Sequence, residues 1–218
     1  MISRFCFVAV VLFVPLADLR AEEVEVRTFS ISVDGKASGE YRVSVQVLDD
    51  GSRQATVESV TKVPQGTGWR RTSYAGVEVW KGGKLQRLDA RCYDDGKRRH
   101  LTAAPNAGQL RVMINGQRTD VRADVWTNTY WFVPEMTERT QAMAIFEVES
   151  GKVIAAQLEQ LGAEKLTVIG QGLDCSRFRL RGDNLKADLW YDGADRLIKL
   201  DATEDKHRTV LELIKVQR

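Results

Sequence analysis

His100 and His207 are the only two histidines in the sequence, and so the only side chains whose ordinary pKa lies near neutrality. His100 closes the charged run KRRH at 97–100. His207 lies in TEDKHRT, which has the composition of a hairpin tip. Both therefore read as exposed side chains rather than poised bases. Asp94 and Asp95 form an adjacent carboxylate pair of the kind that acid–base chemistry uses. They sit in DDGK, however, and a wet turn tip perturbs pKa values little. The chain has no GxSxG elbow. Cys92 and Cys175 have no histidine near them in sequence to draw off a proton. CxxC, HExxH and paired-histidine spacings are all absent, so no metal or other cofactor is expected. No catalytic set assembles from these residues, and the sequence reads as a protein without an active site.

Binding is better represented than catalysis. Trp126, Tyr130, Trp131 and Phe132 fall within one short stretch, and Trp80 and Trp190 stand near the ends of two other apolar segments. Aromatic side chains supply large apolar area with a polar handle, which suits a ligand with an acyl or ring portion. The same six residues also suit plain filling of a curved sheet. Trp80 is out of phase with Val77 and Val79, and Trp190 with Leu185, Ala187 and Leu189. Each tryptophan therefore either covers the second face of the sheet or gathers under the 122–143 segment.

The N-terminus has the layout of a secretory signal peptide. MISR is a short positive region, residues 5–17 are apolar, and Ala21 precedes an acidic start to the mature chain. The apolar run is shorter than the roughly 20 residues a spanning helix needs. Residues 1–21 are thus expected to be removed, leaving 22–218 as one β domain with no transmembrane span, secreted and periplasmic. No small-residue lipobox precedes Cys6. Cys92 and Cys175 would then meet an oxidising compartment where a disulfide can form. Their alternation phases differ, which speaks against the pairing. The chain carries 32 basic and 30 acidic residues, a net charge of +2. That balance excludes nucleic acid as the main partner, because phosphate binding needs a cationic surplus.

The elements that must position these residues are strands. Asp-Gly, Asn-Gly and Gly-Gly pairs recur at 34–35, 50–51, 82–83, 95–96, 115–116 and 192–193, and such pairs tolerate tight hairpin turns. Between them, Tyr41, Val43, Val45 and Val47 alternate with polar residues, as Leu185, Ala187, Leu189 and Tyr191 do. The pattern predicts strands near 24–33, 38–48, 53–63, 69–81, 84–93, 97–104, 109–114, 144–149, 152–160, 164–169, 175–181, 185–191, 196–203 and 208–216. A phase change between Val26 and Phe29 predicts a bulge near Thr28. The segment 122–143 does not alternate. Asp124 as a cap and Pro134 as a first helical residue predict short helical turns there. The fold class is mainly β: a curled antiparallel meander, half-barrel or open barrel, around a short helical and aromatic segment.

The combination VWKGGKLQRLDARCYDDGKRR (79–99), TNTYWFVPEM (127–136), ESGKVIAAQLEQLGAEKL (149–166) and CSRFRLRGDNLKADLWYDGADRLIKLDA (175–202) resembles an uncharacterised family of exported bacterial proteins, a domain of unknown function. The resemblance runs from the Asp34-Gly35 hairpin to the C-terminus. It carries no established activity. The layout is similar to the lipoprotein-carrier fold, in which a curved antiparallel sheet wraps a short helical segment and offers an apolar concave face. The aromatic cluster at 126–132 within an otherwise regular meander points to an exported, non-catalytic envelope protein that binds an apolar or amphipathic, lipid-like ligand. The alternative is a structural or partner-binding envelope protein with a filled interior.

Overall fold

A computed structural model describes residues 24–65, 68–135, 140–204 and 207–218. The expected signal peptide at 1–21 lies outside them. Fifteen strands form one sheet. In chain order they are β1 (Glu25–Val33), β2 (Lys36–Val47), β3 (Arg53–Gln65), β4 (Gly68–Lys81), β5 (Lys84–Asp94), β6 (Lys97–Asn106), β7 (Gln109–Ile114), β8 (Gln117–Arg122), β9 (Trp126–Thr127), β10 (Thr140–Phe146), β11 (Val153–Val168), β12 (Gln171–Gly182), β13 (Leu185–Tyr191), β14 (Leu197–Glu204) and β15 (His207–Gln217).

The spatial order is β8-β7-β6-β5-β4-β3-β2-β1-β15-β14-β13-β12-β11-β10-β9. The chain walks outward by hairpins from β1 to one edge at β8. It then jumps to the opposite edge at β9, where β10 pairs in parallel, and walks back by hairpins from β10 until β15 pairs with β1. Only residues 123–125 separate β8 from β9. A residue spans at most about 3.5 Å, so the two edges of the sheet lie within roughly 14 Å of each other at that point. A fifteen-stranded sheet can meet this only by curling. The sheet stays open, because β8 and β9 do not pair with each other.

The seam is packed. Gly151, at φ +71° in the turn between β10 and β11, presses on Ile114 and Leu101 of β7 and β6; a Cβ there would lie 2.5 Å from Ile114 Cδ1. The buried core lines the inside of the curl, from Phe29 and Val57 round to Leu180 and Leu189, with Trp126 and Phe146 at its centre.

Several expectations are met in detail. The register of β1 against β15 shifts between Thr28 and Phe29, where the phase change placed a bulge. The sheet is antiparallel throughout except for the two-residue parallel pairing of β9 with β10. Others are corrected. The described residues contain no helix. Thr140–Phe146, expected to be partly helical, is strand β10, because β11 offers it an unpaired backbone over Val153–Glu159. The proposed helical turn after Pro134 otherwise falls on 136–139, outside the described residues. The segments at 152–160 and 164–169 are one strand, β11, which absorbs Leu161 as a bulge between Gln160 and Gly162. Strand β8 has no apolar alternation to announce it, since almost every side chain in QRTDVR is exposed. No helix among the described residues is long and apolar enough to cross a membrane.

Candidate functional site

The segment from Val125 to Val133 fills the concave side, and every residue but Asn128 is buried. Its anchor is a carboxylate. Glu78 on β4 is fully buried and faces inward with Tyr74, Gly76 and Trp80. Its Oε2 accepts from Trp80 Nε1 at 2.8 Å, Thr127 Oγ1 at 3.0 Å and Trp131 Nε1 at 3.2 Å, and its Oε1 accepts from Thr129 Oγ1 at 2.8 Å. Burial pushes the Glu78 pKa up, and the four donors oppose that shift without cancelling it. Further bonds tie the segment to the sheet. Tyr41 Oη donates to Thr129 O at 2.8 Å, Tyr191 Oη to Tyr130 O at 3.0 Å, and Trp126 Nε1 to Phe132 O at 3.1 Å. Tyr130 takes a left-handed backbone conformation, φ 51°, which costs a non-glycine residue energy and persists only where the surroundings hold it.

The six aromatic candidates separate accordingly. Trp80, Trp126, Trp131 and Phe132 are brought together, but in packing: Trp80 meets Phe132 edge-on at 5.0 Å, Trp131 lies 4.3 Å from Phe132, and the Arg53 guanidinium sits 4.8 Å above Phe132. Their indole N–H groups are already bonded inside the protein. Tyr130 packs against Trp126 and also borders a cavity. Trp190 stands apart on the outer face, where its Nε1 donates to Glu164 at 3.0 Å and Arg177 covers its ring at 4.9 Å. The two tryptophans that looked alike in sequence thus lie on opposite faces. On β4 the inward phase belongs to Tyr74, Glu78 and Trp80, while Val77 and Val79 point out.

The cavity lies beside the crossing segment, partly open, with a volume of about 620 Å³. Its lining is mixed, with Ile31, Val57, Ile145, Leu200 and Leu211 among the apolar residues and Arg70, Asp94, Arg99, Glu147, Glu204 and His207 among the charged and titratable ones. Asn128, Thr129 and Tyr130 border it on the side of the crossing segment. Tyr74 and Glu149 add polar groups. The buried Tyr74 hydroxyl has no hydrogen-bond partner in the protein, and it occupies the space a Cβ at Gly76 would need. Glu149 is half-buried and accepts from Asn128 Nδ2 at 2.9 Å; burial pushes its pKa up, as do the neighbouring Glu147 and Glu78 carboxylates. Sequence reasoning missed Glu78, Tyr74 and Glu149. A glutamate in phase with Trp80, and not with Val77 and Val79, was the signal for the first.

The residues weighed for catalysis are placed as follows. His100 Nε2 lies 3.0 Å from Asp89 Oδ1, and His207 Nδ1 lies 2.8 Å from Asp34 Oδ2; both pairs are exposed. Neither ring contacts a hydroxyl or thiol among the described residues. Asp94 is held by Arg70 through two bonds of 2.8 Å, which lower its pKa. Cys92 and Cys175 are free and buried. Cys92 lies on the inner face near Val148, and Cys175 alternates with Phe178 and Leu180. Burial pushes their thiols up to about 12 and about 11, the opposite of what a thiolate nucleophile needs. The described residues contain no group of three His, Cys, Asp or Glu side chains able to hold a metal.

Together these features define an open, barrel-like β scaffold with a plugged interior and a cavity beside the plug. The chain belongs to the family described as Domain of unknown function (DUF6134), whose model matches residues 29–214. Its fold is similar to the crystal structure of a beta-barrel-like protein of domain of unknown function DUF1849 from Brucella abortus. The TM-score is 0.67 at 9% identity, covering 89% of this chain and 97% of that one. A DUF1329 family protein from Desulfovibrio piger aligns over 91% of this chain and 86% of its own, at 13% identity and a TM-score of 0.28, too low to support a shared fold. No curated protein matches the chain.

Proposed function

We propose that this is an exported, periplasmic protein that binds an amphipathic, lipid-like ligand without chemical change. The single observation that carries this reading is the cavity of about 620 Å³, whose lining sets apolar Ile31, Val57, Ile145 and Leu200 beside polar and charged groups that include Tyr74, Arg99 and Glu149. Ligand pockets commonly have volumes of about 300–1,000 Å³, and apolar and charged lining side by side suits a ligand with both an apolar and a polar part. The aromatic segment supports the cavity by filling the rest of the interior, and Tyr130 alone of the six aromatic candidates reaches it. Lipid extraction and native mass spectrometry of the protein purified from its own host test the reading. A bound amphiphile is the expected result. The fluorescent probe N-phenyl-1-naphthylamine should also bind, and Ala202→Trp, which places a bulky side chain in the cavity lining, should abolish that binding. A clean unliganded mass together with no probe binding overturns it.

A second reading rests on strand β8. This edge strand leaves one row of backbone groups unpaired, and its side chains are exposed. Such an edge accepts a strand from a protein partner. Arg118 and Asp120 pair along it, as do Arg122 and Asp124, and charges of this kind guard an edge against indiscriminate pairing. Cross-linking in cells that captures a stoichiometric protein partner, with no lipid bound, favours this reading.

A further inference from the structure

The outer face of β3–β6 carries a surface whose Trp69, Lys62, Arg71 and Arg98 do not line the cavity. Strands β3 and β4 run on past their neighbours. β2 pairs with β3 only as far as Thr61, and β5 pairs with β4 only from Thr72. The remainder, Lys62–Gln65 against Gly68–Arg71, projects as a two-stranded ribbon. Trp69 on this ribbon is 60% exposed, the most exposed large hydrophobic side chain among the described residues. The ribbon's outer phase holds Trp69, Lys62 and Arg71, with Lys62 Nζ 4.9 Å from the Trp69 ring.

The charge on the ribbon is one-sided, whereas the sheet face beside it also carries Glu58. No acidic residue occurs between Val60 and Ser73, although the whole chain is nearly balanced. The outer phase continues across the sheet along the paired row Val60–Ser73–Tyr93–Arg98, and Arg91 stands in the next row. These rows border a shallow depression of about 710 Å³. Lys62, Arg71, Arg91 and Arg98 make no ion pair among the described residues. Some cations elsewhere on the outer face are neutralised, as Arg177 and Arg179 are by Asp188 and Arg208 is by Asp201. Unpaired cations around an exposed tryptophan and Val60, itself 45% exposed, are the chemistry of the membrane interface. Tryptophan settles at the headgroup level, and each nearby lysine or arginine is attracted to anionic lipid.

We propose that this face, from Trp69 through Lys62 and Arg71 to Arg98, docks the protein on an anionic phospholipid surface. Because it lies on the outside of the sheet, the proposal stands apart from the cavity reading and can fail or succeed without it.

Vesicle flotation tests the proposal with residues 22–218, which contain every strand of the sheet and lack the apolar N-terminal run that would insert into lipid by itself. Vesicles of equal parts phosphatidylcholine and phosphatidylglycerol should carry the protein upward at low salt, and phosphatidylcholine vesicles should not. High salt should release it. Each cation held at an anionic surface contributes about fivefold in affinity, so Lys62→Gln with Arg71→Gln should weaken binding roughly 25-fold. Trp69→Ala should weaken it further. Circular dichroism melting of each variant confirms that the fold is kept, as expected for exposed positions. Ala202→Trp, which tests the cavity, should float as the unmodified protein does. Equal flotation with both vesicle types, no flotation at all, or folded variants that float unchanged would each overturn the proposal.

Discussion

Trp131 of the crossing segment donates its indole N–H to the buried carboxylate of Glu78 on β4, 3.2 Å away. Trp80, Thr127 and Thr129 converge on the same two oxygens. One buried acidic side chain thereby satisfies three donors of the crossing segment and one of β4. Glu78→Ala should therefore cost about 3 kcal/mol or more, since each orphaned donor keeps its desolvation penalty. Glu78→Gln should cost less, because its amide oxygen still accepts. The pH dependence has a definite sign. The folded pKa lies above the ordinary 4.5, so the folded chain holds this proton more tightly than the unfolded one. Stability should fall as pH rises from 4.5 through the folded value, and Glu78→Gln should make that slope shallower. Urea unfolding across pH measures both effects.

Gly151 closes the seam between the two halves of the sheet. A methyl group there would meet Ile114 Cδ1 at 2.5 Å and Leu101 Cδ1 at 3.2 Å, on a backbone at φ +71°. Gly151→Ala should cost about 2–3 kcal/mol, part from the left-handed backbone and part from overpacking. The Ile114 atom is the far end of a flexible side chain. Gly151→Ala with Ile114→Val should then recover the packing part and leave about 1 kcal/mol of backbone cost. A double-mutant cycle in denaturant checks the division.

Strand positions were legible because turns and alternation report directly on backbone pairing. Tyr41, Val43 and Leu189 face the core as their phase implies. The curl was legible only in outline, and its cause was not. It follows from the three-residue step from β8 to β9, and β8 is invisible to periodicity because the side chains on both its faces are exposed. The candidate site was harder. Six aromatics announced a filled or ligand-bearing interior, but a strand pattern does not say which face is concave at Trp80 and Trp190. The Val77–Val79 phase on β4 looked like the core side, and the phase holding a glutamate proved to be. A buried carboxylate is recognisable only once its four donors are in place, and two of those are 49 and 51 residues away along the chain.

Tyr74 carries a buried hydroxyl with no partner in the protein. Its neighbours Glu78 and Glu149, together with burial, push its pKa well above the ordinary value, so it stays neutral. Removing an unsatisfied polar atom while keeping the ring relieves a desolvation penalty. Tyr74→Phe should leave stability unchanged or raise it by up to about 1 kcal/mol. A loss of more than that amount would mean that the hydroxyl has a partner after all, such as an ordered water in the cavity.

The two buried cysteines should be silent in the folded protein. With thiols raised to about 12 and about 11, almost no thiolate forms near pH 8, and thiolate is the reactive species. Cys92 and Cys175 should resist a thiol reagent in the native state and react together on unfolding. Rapid native labelling of either, or an intact mass that is two protons lighter, would contradict this.

The outer face of β12 and β13 gives the opposite pH behaviour to Glu78. Asp188 accepts from Arg179 Nε at 2.7 Å and Nη2 at 2.8 Å, and from Arg177 Nη2 at 2.5 Å. The Arg179 bonds, more than any other cause, lower its pKa from 3.8 to about 2. A depressed carboxylate contributes stability that is fully present above the unfolded pKa and is lost as pH falls through the folded one. Asp188→Asn should therefore cost about 1–2 kcal/mol at neutral pH, the lower end reflecting solvent screening on this face. The gap between variant and parent should start to close as pH falls toward 3.8 and should vanish only below about pH 2. Arg179→Gln should show the same closing gap, because it removes the partner that lowers the pKa. A constant difference between parent and variant from neutral pH to pH 2 would mean that the pair contributes packing rather than charge.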